Sequence, residues 1–171
     1  VIASMSHYED GSMLEFHLGI RHDKVEGIAF PYTGGLKDFS GQSMTLMVPV
    51  ARLIEREHWR FLVEDRKDIE KAVHELGRVL QQRAFALLDR FSRLEALNSW
   101  YNETPGKPLT WVHNQHHRCL RGATIARLSH SKQFEACCAA YAALLSELKA
   151  PDHIRERFHR IVNFLKTYSE N

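Results

Sequence analysis

The sequence predicts an α+β fold, in which an N-terminal antiparallel β-meander packs against a long amphipathic helix and a C-terminal helical bundle follows. Apolar and polar residues alternate between Met13 and Arg21, just after an Asp-Gly pair, which indicates a hairpin. Apolar residues then recur every three or four positions from Ile69 to Phe91, the period of one helix face. We therefore expect one domain, with three to five strands in residues 1–65 and helices in 66–171.

Length and composition indicate an ordinary globular protein. A chain of 171 residues with 44% hydrophobic and 26% charged residues can bury a substantial core. The net charge of +2 is too small to imply a polyanionic partner. Three cysteines, two of them adjacent at Cys137 and Cys138, form no disulfide framework, so we expect a reduced, cytoplasmic chain. No signal peptide and no apolar run of about 20 residues is present, so no membrane partner is expected.

The first strands are predicted from alternation. Val1 to Met5 forms one strand, residues 9–12 the turn, and Met13 to Arg21 a half-buried partner strand. An edge strand or a bulge is predicted over residues 44–53, because Pro49 has no backbone N–H to donate to a neighbouring strand. A further strand is predicted over 58–63. The chain opens without methionine inside a predicted strand, so we expect a further segment before Val1.

Residues 22–42 predict a loop with a short strand at 27–30. Five turn-forming residues lie in this stretch, namely Gly27, Pro31, Gly34, Gly35 and Gly41. Long loops in compact domains often carry binding functions. We therefore expect a protein-binding face here, with Tyr32 and Phe39 as aromatic anchors and Lys37 beside them.

The helix predicted over residues 67–91 organises the rest of the fold. Asp68 is expected to cap its start, and the meander and the later helices are expected to cover its apolar face. That face is predicted to consist of Ile69, Val73, Leu76, Leu80, Ala84, Leu87 and Phe91. Further helices are predicted over 93–101, 111–128, from Ser131 to Leu148, and after Pro151, with Ser92, Ser131 and Asp152 as caps. The helix predicted over 111–128 packs through Leu120, Ala123, Thr124 and Leu128.

One cluster has residue types that bind transition metals: His113, His116, His117 and Cys119. On a helix, residues three or four positions apart share a face, so two imidazoles there could hold zinc. The missing ligands would come from afar, with His130, Cys137 and His153 as candidates. The alternative is that these are solvated or internally bonded histidines, since the chain contains 11 histidines in all.

The last predicted helix carries a basic face formed by Arg155, Arg157, His159 and Arg160. Such a face can follow a nucleic-acid backbone, although the aromatic residues of this helix lie on its apolar side and a solvated surface explains it equally well. The chain contains no phosphate-binding loop and no Gly-x-Ser-x-Gly nucleophile motif, so no enzyme class is predicted.

The order of these elements resembles a bacterial family of small cytoplasmic α+β proteins of unknown function, often encoded near toxin, immunity or defence loci. The resemblance is carried by Val1-Ile2, residues 15–20 and 58–61, the long helix, and the stretch FALLDRFSRLEALNSW at 85–100. It implies a short helix before Val1 and a single α+β domain. It also implies an immunity or accessory protein that binds another protein.

Three functions follow from these observations. The first is a non-enzymatic protein-binding domain of immunity or defence-accessory type, whose partner would be another protein such as a toxin. The alternative is a metal-binding protein or metal-dependent enzyme that uses the histidine cluster. A nucleic-acid-binding module acting through the last helix is the third, and a homo-oligomer is left open.

Overall fold

A computed structural model describes residues 1–112 and 114–169 and confirms the α+β fold class. Contacts divide the chain into two compact units. The sheet unit comprises Val1–Ile20 and Leu46–Arg90, and the helical unit comprises Arg21–Thr45 and the chain from Phe91 onward. The expectation of a single domain stays a prediction.

The sheet unit contains a four-stranded antiparallel sheet centred on its second strand. The strands are β1 (Ile2–Tyr8), β2 (Gly11–Ile20), β3 (Leu46–Pro49) and β4 (Arg60–Val63). One edge of β2 pairs with β1, and the other pairs with β3 near Ile20 and with β4 near Ser12. The predicted hairpin is confirmed. Its turn is only two residues long, because Gly11, at φ 136°, already pairs with Tyr8.

The long helix runs unbroken in sequence but contains one irregular turn. The short helix α2 (Val50–Leu53) precedes it, and then α3 (Arg66–Val79), a π-helical turn (Leu80–Ala84) and α4 (Phe85–Phe91) follow one another. The expected cap, Asp68, is instead the third helical residue. Asp65 is the N-cap and accepts from the backbone N–H of Asp68, whose own carboxylate accepts from Asp65 N–H in return.

The predicted apolar face of this helix is wrong in its first two turns. Ile69 is 40% exposed and Val73 is 53% exposed, whereas Ala72, Leu76 and Val79 are buried. Sequence spacing alone permits either stripe, since Leu76 continues both. The position of the sheet decides between them, and Ala72, Leu76 and Val79 pack with Leu14, Phe16 and Val50 to form the core of the sheet unit.

The helical unit contains five helices and one 3-10 segment among its described residues. They are α1 (Asp23–Thr33), the 3-10 segment (Lys37–Gln42), α5 (Leu94–Tyr101), α6 (Gln115–Leu128), α7 (Phe134–Glu147) and α8 (Asp152–Thr167). The loop and short strand predicted for residues 22–42 are therefore wrong. Pro31 is compatible with α1 because it lies in the last turn, where one lost hydrogen bond does not end the helix early. No helix in 1–112 or 114–169 has the length and apolarity to cross a bilayer.

A buried polar cluster holds α5, α6 and α7 together. The guanidinium of Arg118 donates to the carbonyls of Tyr101, Thr104 and Lys107. The Tyr141 hydroxyl donates to Asn102 Oδ1 over 2.6 Å and lies where a side chain at Gly122 would be. Glycine is thus required at position 122 of α6. The predicted packing stripe of that helix is confirmed, since Leu120, Ala123, Thr124 and Leu128 are all buried.

Candidate protein-binding site

A cleft of about 550 Å³ opens between α1 and the 3-10 segment. This volume lies within the range of pockets that hold small ligands or peptide side chains. The lining residues all belong to the helical unit: Arg21, Glu26, Gly27, Phe30, Pro31, Gly35, Lys37 and Ser40. The predicted binding stretch 22–42 thus forms a concave surface between two ordered elements, in place of the expected loop.

Glycines shape the end of α1 beside this cleft. Gly34 ends the helix in the left-handed conformation at φ 80°, which glycine adopts without strain. A Cβ at Gly34 would lie 2.0 Å from Arg157 Nη1, and a Cβ at Gly35 would lie 2.9 Å from the Phe30 ring. The chain can therefore turn tightly over Phe30 only because both positions lack a side chain. Gly27 differs, since nothing lies within 4 Å of a Cβ there.

Glu26 is the one acidic residue among those that line the cleft, and Arg121 of the same unit neutralises its charge. The fully buried carboxylate of Glu26 accepts from Arg121 Nε over 2.8 Å and from Arg121 Nη2 over 3.0 Å, and Ser43 Oγ also donates to it. Burial acts to raise the pKa of Glu26, but the hydrogen bonds and charge of Arg121 outweigh it and lower the pKa. The pair is therefore charged, bidentate and almost entirely removed from water.

Hydrogen bonds from Arg21 connect the 3-10 segment to the start of α1. Its Nη1 donates to the carbonyls of Ser40 and Ser43 over 2.8 and 2.6 Å, and its Nε donates to Asp23 over 2.7 Å. Because these bonds fix the guanidinium, the cleft has a preorganised cationic wall. Lys37 adds a second, exposed cation to the lining.

Two large apolar side chains stand in water beside the cleft. Leu36 is 71% exposed and Phe39 is 54% exposed, and each is adjacent in sequence to residues that line the cleft. Tyr32, by contrast, is half-buried against the core, with the Arg160 guanidinium 5.8 Å from its ring centroid. Of the three residues predicted for protein binding, Lys37 lines the cleft, Phe39 is exposed next to the lining residue Ser40, and Tyr32 faces inward.

The predicted metal ligands lie in different environments. His113 falls outside the described residues. His116 lines a separate depression with Asn114, Gln115 and Leu148, whereas Cys119 is fully buried, and this burial raises the pKa of its thiol to about 12. Burial and the nearby charge of Arg121 lower the pKa of His117. The structure shows no group of three His, Cys, Asp or Glu side chains able to hold a metal ion within 1–112 and 114–169, and the zinc site stays a prediction.

The three arginines of the predicted nucleic-acid face each have a partner inside the helical unit. Arg155 forms an ion pair with Asp152 one turn earlier on α8. Arg157 Nη1 donates to the Thr33 carbonyl over 3.3 Å, at the end of α1, and Arg160 lies over Tyr32. His159 is exposed. Nucleic-acid binding stays a prediction, and these guanidinium groups have a structural explanation.

Glu26, Arg121 and Arg21 were not predicted as site residues. The sequence did contain a signal for α1, because Val25, Ile28, Ala29 and Tyr32 have the three- and four-residue spacing of a buried helix face. The glycines and Pro31 outweighed that signal. The ion pair itself joins positions 95 residues apart, so no local pattern could reveal it.

Comparison of the chain with protein-family models, with curated proteins and with solved structures finds no significant match. The family resemblance described above is therefore neither confirmed nor contradicted. The candidate site rests on the geometry of the helical unit alone.

Proposed function

We propose that this protein is a protein-binding module whose recognition site is the cleft between α1 and the 3-10 segment. The observation that carries the proposal is the position of Leu36 and Phe39, two highly exposed apolar side chains beside a cleft of peptide dimensions. Exposed aromatic residues next to a concave surface are typical of sites that anchor a partner chain.

The chemistry of the lining indicates the kind of segment that fits. Phe30, Pro31 and Gly27 provide an apolar floor suited to one aliphatic or aromatic side chain. Lys37 provides positive charge and Arg21 provides a guanidinium that also pairs with Asp23, while the carboxylate of Glu26 is already compensated by Arg121. We therefore expect a short partner segment with an apolar residue flanked by Asp or Glu.

Backbone recognition adds to this specificity. Pro31 has no N–H, so the carbonyl of Gly27 lacks the donor that an α-helix normally supplies four residues later. Gly27 is exposed at the cleft and has no side chain to shield that carbonyl. A backbone N–H of the bound segment can supply the missing hydrogen bond.

The thiol groups favour binding over nucleophilic chemistry. Burial raises the pKa of Cys119 and Cys138 to about 12, and it also raises the pKa of Cys137. The reactive form of cysteine is the thiolate, which is scarce at neutral pH when the pKa lies so high.

The toxin partner implied by the family resemblance belongs to the class of partner proposed here.

Selection from a random peptide library displayed on phage, with the full chain as bait, tests the proposal. Enriched peptides are then measured by fluorescence polarisation against wild type and variants. We expect a shared pattern of one apolar residue beside acidic residues. Gly27→Leu should weaken binding about ten-fold or more, because its Cβ has no atom within 4 Å, the rest of the side chain would occupy the cleft, and leucine favours the helix.

Two further variants and one control complete the test. Phe39→Ser should also reduce affinity about ten-fold, as expected for an aromatic anchor, and Lys37→Glu should weaken acidic peptides selectively. Phe164→Ser removes an aromatic residue of α8 that is 42% exposed, against 54% for Phe39, and should leave binding unchanged. Absence of enriched peptides, or equal binding by wild type and Gly27→Leu, would contradict the proposal.

A further inference from the structure

The strand β1 leaves one edge of the sheet open. Among the described residues it pairs only with β2, and all seven of its residues are exposed. An open edge presents unpaired N–H and C=O groups that another strand can take up.

Among the described residues, β1, β3 and β4 each pair only with β2. Of these three strands, β1 alone lacks the features that usually keep an edge strand from pairing with another chain. β3 has four residues and ends in Pro49, which has no N–H to donate. β4 also has four residues, and its first, Arg60, forms an ion pair with Glu15. Short length, proline and charge are the features by which natural edges avoid pairing. β1 has seven residues, a continuous register with β2, and no proline or Asp, Glu, Lys or Arg.

The register determines which backbone groups of β1 point away from β2. The hairpin closes at the Tyr8–Gly11 pair after a two-residue turn, so the alternation of an antiparallel ladder makes Tyr8, Ser6, Ser4 and Ile2 the residues bonded to β2. The N–H and C=O groups of Ala3, Met5 and His7 therefore point outward. These are the groups that a further strand would bond.

We propose that β1 pairs with β1 of a second copy of this chain, antiparallel, about a two-fold axis at Met5. In that register Met5 lies opposite Met5 of the other copy, and Ala3 lies opposite its His7. All three outward-pointing residues then become hydrogen-bonded pairs, which gives six new backbone bonds. The two four-stranded sheets become one sheet of eight strands.

The side chains of β1 match one another in the same register. Ile2 lies across from Tyr8, Ser4 across from Ser6, and Met5 across from Met5 of the other copy, so every pair except Ala3–His7 joins residues of similar character. Met5 is 44% exposed and Tyr8 is 66% exposed in the single chain, and both gain an apolar neighbour. Because β1 carries no Asp, Glu, Lys or Arg, no like charges meet. This self-complementarity favours a second copy over an unrelated strand.

Sedimentation equilibrium of the full chain tests the pairing. A single strand pair is a small interface, so we expect a concentration-dependent equilibrium between the 19.8 kDa chain and a species of twice that mass. Met5→Lys should abolish the dimer, because two lysines would meet at the axis while the bonds to β2 are kept. Val73→Lys changes an apolar position on α3 that is 53% exposed, against 44% for Met5, and should leave the dimer intact. Circular dichroism verifies that both variants are folded.

Cysteine cross-linking tests the register. In the proposed dimer the two Cα atoms at position 5 are about 5.5 Å apart, within the range of a disulfide. Those at position 3 are displaced by four residues, about 13 Å at roughly 3.3 Å per residue, which no disulfide spans. Met5→Cys should therefore form a covalent dimer on mild oxidation and Ala3→Cys should not, with wild type controlling for its three buried cysteines.

The outcomes separate clearly. A wild-type chain that is monomeric at all concentrations, or a dimer that survives Met5→Lys, would overturn the proposal. Cross-linking that is as efficient at Ala3 as at Met5 would overturn the register. The peptide selection described above uses residues of the helical unit, so its result is independent of this one.

Discussion

The two units of this protein are built by different kinds of interaction. The structure describes six buried polar or charged side chains in 1–112 and 114–169, and all lie in the helical unit: Glu26, Thr33, Thr45, Asn102, Arg118 and Thr124. Every buried side chain of the sheet unit is apolar. Apolar contacts have no preferred direction, whereas hydrogen bonds and ion pairs require one geometry. We therefore expect the stability of the helical unit to depend on a few specific polar partners, and that of the sheet unit to depend on the total apolar surface that it buries.

The largest expected effect is the loss of the buried ion pair. Glu26→Ala should destabilise the helical unit by about 3–5 kcal/mol, because Arg121 is left charged and unpaired away from water. Urea unfolding monitored by tryptophan fluorescence in a Trp59→Phe background measures this, since Trp100 and Trp111 then report on the helical unit alone.

A double variant distinguishes the pair from simple packing. Glu26→Leu combined with Arg121→Met removes both charges and should recover most of the lost stability, since apolar replacements of a buried pair are often neutral. If Glu26→Ala costs less than about 1 kcal/mol, the value typical of a surface pair, the helical unit does not depend on this partner.

An intermediate effect is expected in the sheet unit, where only apolar volume matters. Leu76→Ala should lower the free energy of unfolding by about 2–4 kcal/mol, because it leaves a cavity beneath the sheet. Val73→Ala, three residues earlier on the exposed side of α3, should change it by less than about 0.5 kcal/mol. Equal losses in urea unfolding followed by circular dichroism would contradict the observed orientation of the helix.

The smallest expected effect is a pH dependence of the helical unit. Burial lowers the pKa of His117, so the unfolded chain binds its proton more readily than the folded chain. Stability is therefore complete above the ordinary histidine pKa of 6.5 and is lost as the pH falls below it. Glu26, whose pKa is also lowered, adds a loss only below its ordinary value of 4.5. Thermal melting between pH 7 and 5 should show a decline in wild type that His117→Gln flattens.

The sheet unit was largely predictable from the sequence. The alternation of Leu14, Phe16 and Leu18 indicated a half-buried strand, and these three residues are the buried face of β2. Alternation is a local property, so it can be recognised without knowledge of the partner strand. The same approach failed at Ile69 and Val73, where two helical stripes overlap and only the position of the sheet selects one.

The candidate site was only partly predictable. Lys37 and Phe39 were predicted on a binding face. Lys37 lines the cleft and Phe39 is exposed next to the lining residue Ser40, but the stretch around them was predicted as a loop. The buried carboxylate of Glu26 in α1 is compensated by Arg121, which comes from a distant part of the chain. Glycine usually disfavours a helix, but the two glycines here have other roles. Gly34 ends α1 where a Cβ would collide with Arg157, and Gly27 leaves space in the cleft. These meanings depend on tertiary contacts that local spacing does not contain.

The π-helical turn between Leu80 and Ala84 lets the long helix hold one extra residue without turning its buried face. Such a turn holds one residue more than an α-helix needs over the same span. Deletion of a single codon, for example that of Gln81, would let the segment become regular. Val79 and Ala84, which are both buried, are five residues apart now and would be four apart after the deletion, the ordinary spacing of one α-helical face. An in-frame loss of one amino acid here can thus make the helix more regular and still keep the same side chains buried.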